Sequence, residues 1–178
     1  MGMQTSVSSK RIAGWLATFL ILISGFAIWK ITPLLNERHA IEAARQWGNL
    51  APIPDSATEV RAVKHDAFTW SEIFISFQAP PAAIDTFIKS SPGLASVQPE
   101  ILSPKHMYLR DPTSPNADRD MRHLYFHNEA ARYGASWYDP TVRTKGRLYP
   151  LTPSKTLDLG EIVIDDQRHT VYIHADRG

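Results

Sequence analysis

His123, His127 and Glu129 form a compact group of side chains with the chemistry to hold a metal. The histidines stand four apart, so they share a face whether the segment is helical or extended, and the carboxylate follows two residues later. Two imidazoles and a carboxylate form a donor set suited to zinc. The signature helix of zinc hydrolases, however, has a glutamate directly after its first histidine. Here Leu124 stands there, and Tyr125 and Phe126 favour a strand. His123 and His127 therefore read as structural histidines at a sheet edge or facing water. A second group, His169 and His174 with Asp165 and Asp166, would supply an acid–base pair if folding brought it together. Aspartates in a tight turn already have a structural reason to be there. No serine lies in a G-x-S-x-G elbow, no glycine-rich phosphate loop is present, and there is no cysteine. The sequence predicts neither an enzyme nor a cofactor.

A third group suggests recognition. Arginine and aromatic residues crowd the second half of the chain, among them Arg110, Arg122, Tyr125, Arg132, Tyr133, Trp137, Tyr138, Arg143 and Arg147. These are residue types enriched where proteins bind one another. Any single one of them also serves as core in a small domain. Arg122, Arg132 and Trp137, with Trp47 upstream, are the expected partner contacts.

The elements that position these residues divide into an anchor and a domain. Ile12–Trp29 carries no charge, close to the roughly 20 residues needed to cross a bilayer. Trp15 and Trp29 mark its two ends, flanked by Lys10, Arg11 and Lys30, the residue types that settle at membrane interfaces. The expected order is a tail over 1–11, a transmembrane helix over 12–32, a juxtamembrane helix over 33–50 and a soluble domain over 51–178. A cleaved signal peptide is the competing reading, but its apolar core usually spans only about 7 to 15 residues. The basic tail favours a cytoplasmic N-terminus and a domain on the outer side, which is periplasmic for a bacterial inner membrane. Ala13, Gly14, Ala17, Thr18, Ser24 and Gly25 recur at spacings of four and seven, a small-residue stripe against which another membrane helix can pack.

Pro33 interrupts the apolar helix, after which residues 34–48 regain helix-favouring composition and end at Gly48, read as a C-cap. Ala40, Ala44 and Trp47 share a face of this segment, which reads as a stalk lying along the interface or standing on the membrane, with Trp47 packed on the domain or on a partner. The prolines of residues 51–54 make a stiff linker. Residues 59–65 and 70–77 read as two strands joined at Asp66 and Ala67, with Ile73, Ile75 and Phe77 alternating with Phe74 and Ser76. Residues 80–90 open on proline and place Ile84, Phe87 and Ile88 at helical spacing. The proline-rich middle yields only short apolar runs. Residues 123–127 have strand composition, and residues 129–140 read as a short helix or a loop. Residues 160–175 form a hairpin whose Ile162 and Ile164 face the same side as Val171 or Ile173. The sum is an α+β domain with an antiparallel sheet of four or five strands and one or two short helices.

SATEV, WSEIFISFQAPPAAIDTFI, SWYDP and GEIVIDDQRHTVYIHA together resemble a pattern in small uncharacterised bacterial single-pass membrane proteins with an α+β extramembrane domain. The resemblance spans most of residues 55–175 and implies that fold, with no catalytic residues to carry over.

Residues 51–178 hold fourteen basic and sixteen acidic side chains. A nucleic-acid binder would show a basic stripe on its domain, so nucleic acid is not an expected partner. The expected partners are the lipid bilayer and other membrane subunits. The expected function is a noncatalytic accessory or assembly subunit of a larger membrane complex, of respiratory or photosynthetic type. The alternatives are a membrane-tethered binding or inhibitor module and a histidine-dependent metal enzyme.

Overall fold

The computed structural model describes residues 36–103 and 127–178. The expected transmembrane helix, its packing stripe and its interfacial Lys10, Arg11, Trp15, Trp29 and Lys30 lie outside them, as do Arg122 and His123. Among the described residues no helix is long and apolar enough to cross a membrane.

Helix α1 covers 36–47, strand β1 Thr58–Asp66, β2 Ser71–Gln78, helix α2 Pro81–Ser90, β3 Glu100–Leu102, helix α3 127–132, β4 Gly146–Pro150, β5 Leu159–Asp165 and β6 Thr170–Arg177. The strands form one antiparallel sheet in the order β1-β2-β6-β5-β4-β3. The last strand therefore lies inside the sheet, between β2 and β5. The domain is α+β as expected, but with six strands.

Alternation explains the layers. Ile73, Ile75 and Phe77 of β2 join Ile162, Ile164, Val171 and Ile173 in one core, beneath α1 and α2. Ile162 pairs with Ile173 and Ile164 with Val171, the same-side arrangement expected of the terminal hairpin. Phe74 points the other way and packs with Leu148, Val163, Tyr172 and Tyr138 under α3 and the segment after it. Both faces of the sheet are covered, so β2 is buried at every position from Glu72 to Phe77.

Helix α2 follows its sequence signals closely. Pro81 presets the first turn, and Ile84, Phe87 and Ile88 are its buried residues. Beyond its end, the Ser91 hydroxyl donates to the Phe87 carbonyl at 2.7 Å and accepts from the Ala51 amide at 3.0 Å, tying the linker to the helix.

Three expectations are corrected. Asn36–Gly178 forms one compact unit, and Ala40, Ala44 and Trp47 sit in the first core, so α1 belongs to the domain rather than preceding it as a stalk. Its left-handed terminator is Asn49, at φ 47°, one residue after Gly48, and the Leu50 amide donates back to the Arg45 carbonyl at 2.9 Å. His127, expected to end a strand, instead opens α3.

Gly93 explains how this layer closes. Its amide donates to the Asn49 carbonyl at 2.9 Å, and a Cβ there would lie 2.0 Å from the Gly48 carbonyl oxygen. Only a residue without a side chain lets the end of α1 approach the turn after α2.

Candidate functional site

One end of the sheet collects side chains from four separated stretches of sequence. Trp70 and Glu72 flank the start of β2, Asp158 and Leu159 the start of β5, and Asp176 lies near the end of β6; Glu129 and Arg132 come from α3 and Tyr133 from just beyond it. Together they line a recess of about 460 Å³. Strand register forces part of this arrangement, because Glu72 and Asp176 are direct cross-strand partners and Asp176 also stands opposite Leu159. Like charges directly opposed on a sheet repel. Burial holds the Asp176 carboxyl above its ordinary pKa, the Glu72 charge pushes it further, and His174 opposes the rise.

Behind the recess lies a buried polar layer. His174 Nε2 and Glu72 Oε1 are 2.8 Å apart, with His174 fully buried and Glu72 nearly so. Glu161, also buried, is the cross-strand neighbour of His174. The buried Tyr138 hydroxyl has no hydrogen-bond partner among the described residues. Burial pushes this phenol well above its ordinary pKa, and the charge of Glu161 adds to the effect. Tyr138 packs edge-on against Phe74 and Tyr172, with ring centroids 5.1 and 5.5 Å away.

The rim is aromatic. The rings of His65 and Tyr133 stack at 4.0 Å, and Trp70 leans against both, at 5.2 and 6.0 Å. Arg132, mostly exposed, donates to Glu129 at 2.6 Å, and the Tyr133 hydroxyl donates to the same carboxylate at 3.1 Å. Among the described lining residues, four carboxylates thus face one guanidinium. Carboxylates beside aromatic faces are the combination that attracts an organic cation, the first by charge and the second by the ring quadrupole.

Of the first histidine cluster only His127 and Glu129 lie among the described residues, and the second is not brought together. His127 Nδ1 contacts the Tyr138 carbonyl at 2.6 Å, Glu129 is engaged by Arg132 and Tyr133, and no three described His, Asp or Glu side chains are placed to hold a metal. Asp165 folds its own turn, accepting from the Gln167 and Arg168 amides at 2.9 Å each and from the Arg168 guanidinium at 2.7 Å. Asp166 holds Arg147. His169 is exposed in a left-handed conformation at φ 52°, apart from the buried His174.

The expected partner contacts divide. Trp47 is 8 % exposed and fills the domain's own core, with Lys64 Nζ and Arg177 Cζ 5.6 and 5.8 Å from its ring centre. Of the two placements expected for it, packing on the domain is the one observed. Arg132 stands at the recess. Half-buried Trp137 lines a separate small hollow with Arg61, Arg168 and Tyr172. Glu72, Asp158 and Asp176 had no signal in the sequence beyond their charge.

No protein family, curated protein or solved structure matches this chain.

Proposed function

We propose that this chain is a noncatalytic accessory or assembly subunit of a larger membrane complex, held by its N-terminal apolar run with the domain on the outer, periplasmic side. The recess at the sheet end is its docking point, and the partner inserts a lysine or arginine side chain there. The observation that carries this reading is the excess of carboxylate around an aromatic rim: Glu72, Glu129, Asp158 and Asp176 against Arg132, beside Trp70 and Tyr133. An inserted cation relieves the repulsion between Glu72 and Asp176 and lies against the rings, both of which strengthen its binding. The His174 contact fixes the Glu72 carboxylate, which leaves that pair a supporting role behind the recess. Anchoring and orientation rest on the apolar run and its basic flank.

The deciding experiment is gentle extraction from the native membrane, size separation and mass spectrometry of whatever migrates with the chain. Wild type should migrate with a larger assembly in fixed stoichiometry, and Asp176→Lys should migrate alone while keeping its circular dichroism spectrum. Migration of the wild type alone overturns the subunit reading.

One observation favours a second reading, a tethered binding or inhibitor module. The unit 36–178 closes its own core with Ala40, Ala44 and Trp47. A chain beginning at residue 36 that still captures the partner in solution would favour that module over a subunit placed by its anchor.

A further inference from the structure

On the opposite layer from the recess, an apolar cavity of about 290 Å³ lies between α1 and the β1 side of the sheet. Its floor is hydrocarbon: Ala44, Leu50, Ile75, Phe87 and Ile173 are all buried. Ordered water needs two or more polar partners, and apolar cavities of about 150 Å³ take up benzene instead. This cleft is nearly twice that size and opens to solvent at its mouth.

Two further features look built for a ligand. At the mouth stands Val60, half-buried, within an irregular stretch of edge strand β1. The register shifts between Thr58 and Arg61, and Glu59 adopts a left-handed φ of 50°. Bulges re-aim side chains beside functional sites, and a non-glycine residue in this conformation stores strain that tends to gather there. Glu42 and Arg45, both exposed on α1, also line the mouth; the guanidinium meets the Glu42 carboxylate at 3.5 Å, a surface pair of small worth. The guanidinium fork matches carboxylate and phosphate oxygens, so it can leave Glu42 for an anionic head group.

We infer that this cavity binds a single alkyl chain bearing an anionic head, with the chain over Ile75, Phe87 and Ile173 and the head at Arg45. A methylene fills about the volume of a water molecule, roughly 30 Å³, so the cavity accommodates about ten carbons. Choosing a lipid-like chain over another apolar molecule rests on the membrane reading above, since α1 follows shortly after the apolar run.

The test uses the full chain in lipid nanodiscs with decanoate carrying a terminal diazirine, followed by illumination and peptide mass spectrometry. Adducts should appear on Ile53, Val60 or Phe87, and Ala44→Leu, which fills the floor, should reduce them about tenfold. Ile53→Trp at the half-buried mouth should do the same, and it replaces Ala44→Leu if that variant melts early. Arg45→Glu should weaken labelling by decanoate and leave labelling by the matching decanol probe unchanged. Adducts confined to residues 12–29, or labelling that both cavity variants leave intact, overturn the inference. Parallel discs with the diazirine in a phospholipid acyl chain identify the source, because labelling there points to membrane lipid and labelling by decanoate alone to free fatty acid. If alkaline carbonate strips the chain from membranes, the anchor reading fails, and decanoate labelling in buffer still decides the cavity.

Discussion

His174 and Glu72, 102 residues apart in sequence, meet at 2.8 Å on neighbouring central strands with almost no access to water. A buried polar atom deprived of its partner carries its full desolvation penalty, about 1–3 kcal/mol. Glu72→Ala should therefore lower the unfolding free energy by about that amount, measured by urea denaturation at neutral pH. An unchanged midpoint would mean that the pair does not hold the sheet.

Asp176 sets a pH dependence. Its carboxyl is held above the ordinary value of about 3.9, so the native state binds this proton more tightly than the unfolded chain does. The sign follows: this group favours the native state most at low pH, and the contribution is lost as pH rises through its raised native pKa. Asp176→Asn should remove that loss and stabilise the domain at neutral pH by less than about 1 kcal/mol, because the side chain is only partly buried. Melts of the two proteins should converge near pH 3 and diverge toward about pH 7. Divergence in the other direction would place Asp176 outside the repulsive cluster.

Arg147 bridges two layers, at 2.8 Å from Asp85 on α2 and 2.8 Å from Asp166 beyond the end of β5. Burial works against its charge, but the hydrogen bonds it donates to both aspartates outweigh it and hold the guanidinium's pKa above the ordinary value. Arg147→Met keeps the stem and removes the fork. It should cost about 1–2 kcal/mol in low salt and less in molar salt, where partly exposed pairs are screened. A cost that salt does not change would assign the effect to packing.

The parts of this fold that the sequence discloses are those where local pattern and burial agree. Pro81 with Ile84, Phe87 and Ile88 marks α2 because one stripe faces one core. The terminal hairpin is legible because its apolar residues alternate around two aspartates. Strand β4 escapes notice: it is five residues long, ends on Pro150, and carries the charged Arg147 between buried Gly146 and Leu148. The recess is invisible for a different reason. Glu72, Asp158 and Asp176 read as ordinary polar strand-end residues until β6 inserts beside β2, and no local spacing encodes that long-range pairing.

Gly93→Ala tests the contact that closes the first layer. The added Cβ would meet the backbone oxygen of Gly48, which cannot swing aside like a side chain, so α1 must shift. Overpacking of this kind costs about 1–3 kcal/mol, and the variant should melt earlier by a corresponding amount. A melt indistinguishable from wild type would show that the α1 terminus is loosely held.

Where the domain begins is the sharpest point on which composition and packing disagree. The prolines of residues 51–54 suggest a boundary there, yet the residues just before them contribute Ala40, Ala44, Trp47 and Leu50 to the core beneath the sheet. Removing a buried tryptophan costs about 3–5 kcal/mol, a large share of the roughly 5–15 kcal/mol that holds a domain together. Deleting all of α1 also uncovers Ile75 and Ile173 on the sheet face. A chain beginning at residue 36 should thus unfold cooperatively in urea with dispersed amide resonances, whereas one beginning at residue 51 should bind hydrophobic dye and show no cooperative transition. Trp47→Ala in the longer chain should fall between them, about 3–5 kcal/mol less stable. If the chain from residue 51 folds as firmly as the longer one, α1 contributes nothing to the core, and both its place in the domain and the cavity beneath it are refuted.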